Sequence, residues 1–412
     1  MRSLKPSTLI PIGFIAAFAI FNIVGMIDLP IYRVSALGNG VGTLNSVAII
    51  SLLGGWICSM ALPRRFLLSG VRRIKIVNSA VYHAKVANHL SYMATLVALG
   101  MVTLSVMSGA SVTSFDGRFA TSGSAFLALY SAIIINIYNV NIQLIARGKS
   151  SINTKFLFLI TIALAIASGY RSPVVIAVAC YIVSVAINSY RSGRRIKIKT
   201  RAALAIGIAG IIAFSGVYSI YRTSLAYDVR DYYYEYDTSS VPDSLLFIMD
   251  PISTMHVDQV TISRIITSTD SSGHLGGNLL LSNFLTLLPG ERLAARNIIG
   301  AMTTDRVTDF GRPWSITPTI QGALYADFGV FGVIFGLFFI GFILRSISRW
   351  LESGSAVRVT VAAYIFINLL MGIHNGYPDV IFYLNIMILL ACYLCGSIVA
   401  QTSGVRVSMT RR

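Results

Sequence analysis

Long apolar runs separated by short polar segments account for most of this chain of 412 residues. A membrane-spanning helix needs about 20 predominantly apolar residues, with a range of about 17–25. Windows of that length give ten candidate spans, at 8–27, 44–62, 90–109, 123–145, 155–168, 172–189, 202–221, 319–344, 358–374 and 379–398. Because a backbone in lipid must satisfy its own hydrogen bonds, such spans form helices. The sequence therefore predicts an all-α polytopic membrane protein with about 10 transmembrane helices.

The composition excludes a soluble protein. Only 12% of the residues are charged and the mean hydropathy is +0.72, whereas a soluble domain carries about 25% charged residues. The net charge of +17 does not indicate nucleic-acid binding. Its basic runs, such as 64–75 and 191–199, lie in short segments between spans, which is typical of contacts with anionic lipid headgroups. All four cysteines lie in apolar stretches, so no disulfide framework is expected.

The distribution of charge predicts the orientation in the membrane. With the N-terminus inside, the inner segments hold 23 of the 33 lysines and arginines, whereas 15 of the 16 acids lie outside or near the outer ends of spans. This is the positive-inside pattern. We therefore expect both termini inside and one large outer loop. The predicted sections are N-terminal membrane helices at 1–221, the outer loop at 222–318 and C-terminal membrane helices at 319–412.

The outer loop is where a functional site is expected, because loops longer than about 15 residues are usually functional. Its apolar positions predict a helix over 243–268, followed by a second apolar stretch at 279–288. An aromatic tract at 227–237 suits either stacking on sugar faces or a membrane-interface belt.

The outer side is predicted to carry arginine and no lysine. Arginine pairs with phosphate through two parallel hydrogen bonds, a geometry that lysine lacks. Arg171 lies at the tip of a tight hairpin between two spans, where a charge is costly and favours a functional role over snorkelling to headgroups. Seven more arginines lie in the loop and at its rim: Arg222, Arg230, Arg264, Arg292, Arg296, Arg306 and Arg312. As a set they indicate an anionic substrate, although a surface salt bridge explains any single loop arginine equally well.

Three titratable residues near the last outer turn are candidate catalytic groups. Asp327 lies about eight residues into a predicted span, which by helical rise places it below the interface, where an acid pairs with a cation or lines a polar cavity. His374 and Asp379 bracket a short outer turn. A histidine at a span end is more often an interface residue than a base. His256 and Asp258, on the predicted loop helix, are weaker candidates.

Motifs for nucleotide or metal chemistry are absent from the sequence. There is no Walker A, G-x-S-x-G or H-E-x-x-H pattern. Cys392 and Cys395 have zinc-like spacing but lie within an apolar span without partners. Glycines between 322 and 341 approach the small-xxx-small spacing of tight helix packing. No metal or cofactor is therefore expected.

The run 314–332, WSITPTIQGALYADFGVFG, enters a span directly after the outer loop. It resembles a run found in the bacterial O-antigen and oligosaccharide repeat-unit polymerases (Wzy type). The hairpin 168–172, SGYRS, and the element 287–289, LLP, are also similar to elements of that family. The resemblance extends to the plan of ten spans with one large outer loop, and it implies the GT-C-like fold of membrane polymerases and ligases.

The resemblance implies glycosyl transfer at the periplasmic face of a bacterial inner membrane. The donor is a growing glycan on undecaprenyl pyrophosphate, the acceptor is a newly flipped lipid-linked repeat unit, and a chain-length regulator is a candidate partner. Such a reaction needs a general base, and the residues leave Asp327, His374 and Asp379 open; a histidine implicated in related ligases slightly favours His374 and His256. The candidate substrate-binding residues are Arg171, Arg222 and Arg312 for the pyrophosphate, Arg264 and Arg292 as further contacts, and Tyr221 and Tyr325.

Two other classes of protein remain open. A lipid-linked glycan ligase would use the same fold and donor with a different acceptor. A transporter or flippase would show inverted repeats and several charges at mid-membrane depth, and the sequence has no evident repeat and carries most of its charge at the rims. A receptor or structural role leaves Arg171 and Asp327 unexplained.

Overall fold

The computed structural model describes residues 6–28, 38, 40–61, 79–108, 123–168, 170–192, 210, 243–285, 293–304 and 315–402. Within these ranges the secondary structure is helical, without strands, and the predicted all-α class is confirmed there. The helices are α1 (Pro6–Gly25), α2 (Val41–Ala61), α3 (Ser79–Met107), α4 (Gly123–Arg147), α5 (Ile152–Ala167), α6 (Arg171–Arg191), α7 (Asp243–Ser272), α8 (Asn278–Leu285), α9 (Ala295–Thr303), α10 (Ile320–Leu351), α11 (Ala356–Asn375) and α12 (Val380–Thr402).

Eight of the described helices are long and apolar enough to cross a membrane, namely α1, α2, α3, α4, α6, α10, α11 and α12. Each coincides with a predicted span. The span predicted at 155–168 corresponds to the shorter apolar helix α5. The span predicted at 202–221 lies outside the described residues, apart from Gly210. The chain is therefore a multi-pass membrane protein, while the total of ten spans, the orientation and the GT-C-like fold stay predictions.

The segment predicted as the outer loop contains three of the described helices. The helix predicted over 243–268 is confirmed as α7 and extends to Ser272. The apolar stretch at 279–288 forms α8 over its first residues. The aromatic tract at 227–237 lies outside the described residues.

Contacts divide the chain into two compact units. Unit 1 comprises Met1–Pro63, Ser219–Ser348 and Asn368–Val380, and unit 2 comprises Arg64–Tyr218, Arg349–Ile367 and Ile381–Arg412. The three sections predicted from the sequence divide the chain by its position relative to a membrane, whereas the two units are defined by contacts. The three sections therefore stay a prediction.

Unit 2 is built around α4, which packs against α3, α5 and α6. Four amide side chains are buried along this apolar helix: Asn136, Asn139, Asn141 and Gln143. Asn141 is representative, because its Nδ2 donates to Ser184 Oγ and Thr360 Oγ1 at 3.0 Å each. Hydrogen bonds of this kind stabilise helix pairs where the surroundings are apolar.

In unit 1, α2 and α10 approach each other at backbone distance. A Cβ atom at Gly55 would overlap the carbonyl oxygen of Phe338, and a Cβ atom at Gly341 would overlap that of Leu52. Small residues allow helices to approach this closely, as the glycine spacing of α10 predicted.

The span predicted at 319–344 is not one straight helix, because α10 breaks at Gly329 (φ 65°, ψ −155°). A Cβ atom at Gly336 would lie 2.6 Å from Leu324 Cδ2, whereas 12 residues of straight helix separate two positions by about 18 Å. The segment 320–328 therefore folds back along the helix that follows. The helical rise from which the depth of Asp327 was predicted does not apply.

Gly329→Ala is expected to destabilise the protein. The region of φ and ψ that Gly329 occupies is essentially restricted to glycine and costs other residues about 1–3 kcal/mol, and the new Cβ would lie 2.7 Å from His274 Nε2. We expect a lower Tm in detergent. The control is Gly13→Ala in α1, where nothing lies within 4 Å of the added Cβ. Equal Tm values for the two variants would contradict a strained turn.

Candidate functional site

An aspartate–histidine pair in unit 1 joins α7 to the end of α11. Nδ1 of His374 lies 2.6 Å from Oδ2 of Asp258. The Asp258 side chain is 2% exposed and the His374 side chain is 36% exposed. When Asp258 is ionised, its oxygens only accept hydrogen bonds, so the proton of this bond lies on Nδ1 of His374 and Nε2 is the nitrogen that can accept another. The pair has the chemistry of a general base oriented by a buried carboxylate.

Burial raises the pKa of the Asp258 carboxyl, and three interactions oppose that rise. They are the charge of His374, its hydrogen bond and a hydrogen bond from Thr317. The Thr317 hydroxyl donates to Asp258 Oδ1 at 3.4 Å. Both carboxylate oxygens therefore have a donor, which offsets part of the cost of burying a charge.

The segment 317–319 holds the pair in place from the other side. The Thr319 amide donates to the carbonyl of His374 at 3.2 Å, and Thr319 Oγ1 accepts from the Gly322 amide at 3.1 Å, which caps the start of α10. Thr319 has φ 57°, a conformation uncommon for any residue other than glycine. Gly376, with φ +86°, packs so closely that a Cβ there would lie 2.7 Å from Pro318 Cγ. Strained positions of this kind cluster at functional sites.

Asp327 caps α8. Its side chain is buried, with Oδ1 accepting from the Leu279 amide at 2.9 Å and Oδ2 from the Leu280 amide at 3.0 Å. These amides belong to the first turn of α8. The N–H groups of a first turn have no acceptor within their own helix, and the helix dipole favours a negative charge there. Both oxygens of this candidate base are therefore engaged by the backbone.

Asp327→Asn is expected to lower the Tm and to leave the activity per folded molecule largely unchanged. The amide keeps one acceptor oxygen and loses the charge, and hydrogen bonds to charged groups contribute about 1.5–3 kcal/mol. The control for the Tm measurement is Asp379→Asn, because the Asp379 carboxylate is exposed. An unchanged Tm with a loss of activity would instead identify Asp327 as the base.

The turn after α11 is tied to α8 and to the first segment of α10. The Tyr377 hydroxyl donates to the Ala323 carbonyl at 3.3 Å, and Asn283 Nδ2 donates to the Pro378 carbonyl at 3.3 Å. Burial raises the pKa of the Tyr377 hydroxyl, and the nearby Asp327 carboxylate raises it further. Tyr377 therefore remains a protonated donor.

Arg296 lies beside this turn. A guanidinium nitrogen of Arg296 is 3.9 Å from Asp379 Oδ2, with the two side chains 34% and 64% exposed. The Arg296 carbonyl accepts from the Ile316 amide at 3.1 Å, which brings α9 next to Thr317. An exposed ion pair contributes at most about 1 kcal/mol, so an anionic ligand competes readily for this arginine.

Three other residues considered in the sequence analysis have no contact with the Asp258–His374 pair among those described above: Tyr325, Arg264 and His256. Tyr325 is 9% exposed and lies edge-on to His274, with ring centroids 5.4 Å apart. Arg264 is half-buried on α7. His256 is 3% exposed, with Nδ1 3.8 Å from Asp28 Oδ1, so it is shielded from a bulky substrate.

The remaining predicted substrate-binding residues are not placed. The helix α6 begins at Arg171, but the side chain of Arg171 lies outside the described part of the chain, as do Tyr221, Arg222, Arg292 and Arg312. Their roles stay predictions. Arg296, a loop arginine with no individual role predicted from the sequence, lies beside the turn that follows His374, where its guanidinium is 3.9 Å from Asp379 Oδ2.

Asp258 is the residue that sequence reasoning undervalued. It lies on the same face of α7 as Ile262 and Ile265, four and seven residues later, and both isoleucines are fully buried. An acid on the buried face of an amphipathic helix needs a partner. That signal was present in the sequence, whereas the identity of the partner was not.

Comparison with family models identifies a matching family. A sequence model of the family described as "Putative O-antigen polymerase" matches residues 6–386. The matched range includes Asp258, Arg296 and His374. No curated protein matches the chain, and no solved structure matches it.

Proposed function

The chain belongs to the O-antigen polymerase family, and from this premise we propose that it joins undecaprenyl-pyrophosphate-linked oligosaccharide repeat units into a surface polysaccharide. The reaction is glycosyl transfer at the periplasmic face of the inner membrane, without metal or nucleotide. The observation that carries the proposal is the hydrogen bond of 2.6 Å between Asp258 and His374, which provides an oriented base on the segment predicted to face outside.

In the proposed reaction, a hydroxyl oxygen of the acceptor sugar forms a bond to the anomeric carbon of the donor glycan. The bond between that carbon and the diphosphate oxygen breaks, and the lipid diphosphate leaves with the bonding electrons. The hydroxyl proton passes to Nε2 of His374, and the carboxylate of Asp258 stabilises the imidazolium that forms. General-base catalysis of this kind contributes about 10²–10⁴ in rate.

The leaving diphosphate develops negative charge, which arginine side chains stabilise. We propose Arg296 for one such contact, because it lies beside the turn that follows His374 and is held by an exposed ion pair with Asp379. Asp379 then serves as the counter-ion of Arg296 before substrate binds. The predicted contacts of Arg171, Arg222, Arg264, Arg292 and Arg312 form part of the same proposal.

The test supplies the purified protein in nanodiscs with lipid-pyrophosphate-linked repeat units and EDTA, without nucleotide. A ladder of products on a gel is the expected result. Transfer of glycan only to a lipid A core acceptor would replace the polymerase with a ligase. Movement of the lipid-linked sugar across sealed vesicles, with no ladder for any repeat unit, would replace it with a flippase.

Thr317→Val is expected to move the acid limb of the pH–rate profile to higher pH. The reaction needs an ionised Asp258, burial raises the pKa of this carboxyl, and the Thr317 hydrogen bond lowers it. Removing a bond of about 0.5–1.5 kcal/mol moves the limb by up to about one unit. Thr303→Val is the control, since that hydroxyl donates to the Ile299 carbonyl within α9. A shift to lower pH would contradict the assignment.

A further inference from the structure

We infer that four buried amide side chains form a positioning network for the Asp258–His374 pair, an inference that rests on the proposed function. Each amide comes from a different helix of unit 1. They are Asn22 on α1, Asn45 on α2, Gln259 on α7 and Gln321 on α10. This set is called the amide network below.

The members of the amide network bond directly to one another. Asn45 Nδ2 donates to Gln259 Oε1 at 2.8 Å, and Gln259 Nε2 donates to Asn22 Oδ1 at 3.2 Å. Gln321 Nε2 donates to Asn22 Oδ1 and, at 3.3 Å, to Asn45 Oδ1. All four side chains are at most 3% exposed. The bonds therefore connect four helices at one buried point.

Two members lie next to the residues that build the pair. Gln259 directly follows Asp258 on α7. Gln321 lies two residues after Thr319. The backbone amide of Thr319 donates to the His374 carbonyl. The amide network thus holds both the helix that carries the carboxylate and the segment that braces the histidine.

The backbone of α7 is also in close contact with α1 at this point. A Cβ atom at Gly25 would lie 2.5 Å from the Met255 carbonyl oxygen and 2.8 Å from Gln259 Cγ. The close approach lets the short amide of Asn22 reach Gln259. It leaves α7 little freedom to move away from α1.

A positioning role follows from helix geometry. A slip of α7 by one residue rotates its side chains by about 100° and translates them by about 1.5 Å, which would remove Asp258 from His374. Apolar side chains tolerate such sliding, because their contacts have no direction. Buried polar side chains can fix the register of packed helices, as an asparagine does in coiled coils.

The amide network is not built for stability alone. Gln321 Oε1 is buried and accepts no hydrogen bond from the described part of the protein. Burying a polar atom without a hydrogen-bond partner costs free energy of folding. A wholly apolar contact at this place would avoid that cost, so the amides are better explained by the geometry they impose.

The test uses substitutions of similar size that remove the hydrogen bonds, Asn45→Leu and Gln259→Met. We expect each to lower kcat by about tenfold or more, since a tenfold change corresponds to about 1.4 kcal/mol of transition-state stabilisation, with little change in KM. Asn141→Leu is the matched control, because Asn141 is an equally buried asparagine with three hydrogen bonds in unit 2. We expect it to lower Tm without a specific effect on kcat.

A double-mutant cycle separates positioning from a general loss of stability. In an Asp258→Asn background, Gln259→Met is expected to cause little further loss of kcat, because its effect passes through Asp258. If Asn45→Leu does not fold, Gln259→Asn replaces it; this change keeps the amide and shortens the side chain, and we expect an intermediate kcat. The inference would be overturned if the kcat losses of Gln259→Met and Asp258→Asn multiplied in the double variant. It would also be overturned if Asn45→Leu and Asn141→Leu had equal effects on kcat and Tm.

A second readout does not depend on the proposed reaction. With 15N-labelled histidine, the Nδ1 proton bonded to Asp258 gives a downfield NMR signal that His374→Gln removes. Gln259→Met is expected to weaken or shift this signal, and Asn141→Leu is expected to leave it unchanged. A signal unaffected by Gln259→Met would overturn the positioning role, even if the wild-type protein made no polymer. The expected NMR change together with a missing product ladder would overturn only the proposed function.

Discussion

His374→Gln is expected to lower the rate of polymer formation by about 10²–10⁴, the usual contribution of a general base, while the protein remains folded. The imidazole is partly exposed, so its replacement leaves no large cavity. Glutamine keeps a side chain that can donate to Asp258, but it offers no nitrogen that takes up the proton of the acceptor hydroxyl. The measurement is the initial rate of ladder formation with lipid-linked repeat units, together with Tm.

The control for this prediction is His89→Gln, a change at an exposed histidine on α3. We expect wild-type rates from it. A rate for His374→Gln within a factor of two of wild type would show that another group accepts the proton, and Asp379→Asn would then be the next variant to measure.

Asp258→Asn is expected to cause a loss of activity of similar size, about 10²–10⁴, by a different route. An asparagine that turns its NH2 group toward Nδ1 of His374 forces that nitrogen to accept, so the proton moves to Nε2. In that tautomer the ring can no longer take the proton of the acceptor hydroxyl. The amide also stabilises the imidazolium less than a carboxylate does.

Asp258→Asn is not expected to lower the stability of the protein, although it lowers the activity. Burial raises the pKa of the Asp258 carboxyl, which means that holding the ionised form in the fold costs free energy. A neutral asparagine avoids that cost, so we expect an unchanged or higher Tm alongside the loss of activity. Such a combination is typical of functional residues.

The two variants should also be non-additive. If Asp258 acts through His374, the double variant His374→Gln/Asp258→Asn will be no slower than His374→Gln alone. A lower Tm for Asp258→Asn that accounts for its loss of activity would indicate that the aspartate is a structural residue.

Much of the membrane-helix content was predictable because hydropathy is a local property. Each helix from α1 to α4 lies where about 20 consecutive apolar residues occur. The same reasoning failed for the geometry of α10, since an apolar run contains no information about where its axis reverses. Gly329 is one of several glycines in that run, and its positive φ together with the packing of Leu324 against Gly336 marks it as the turn.

The candidate site was predictable only in part. His374 and Asp379 are predicted candidates because they bracket a polar turn between apolar runs. Asp258 is a weaker candidate in the sequence, since 116 residues separate it from His374 and its role depends on how α7 packs. The roles of these residues stay predictions until the variants are measured.

Local sequence properties were sufficient to identify a helical membrane protein, because composition and apolar run length are read within short windows. The match over residues 6–386 assigns the chain to the O-antigen polymerase family. The packing of the helices was needed to show which carboxylate faces His374 and that Asp327 caps α8, because a hydrogen bond between distant residues exists only when the helices carrying them pack in one register. Here the amide network of Asn22, Asn45, Gln259 and Gln321 is what we infer sets that register.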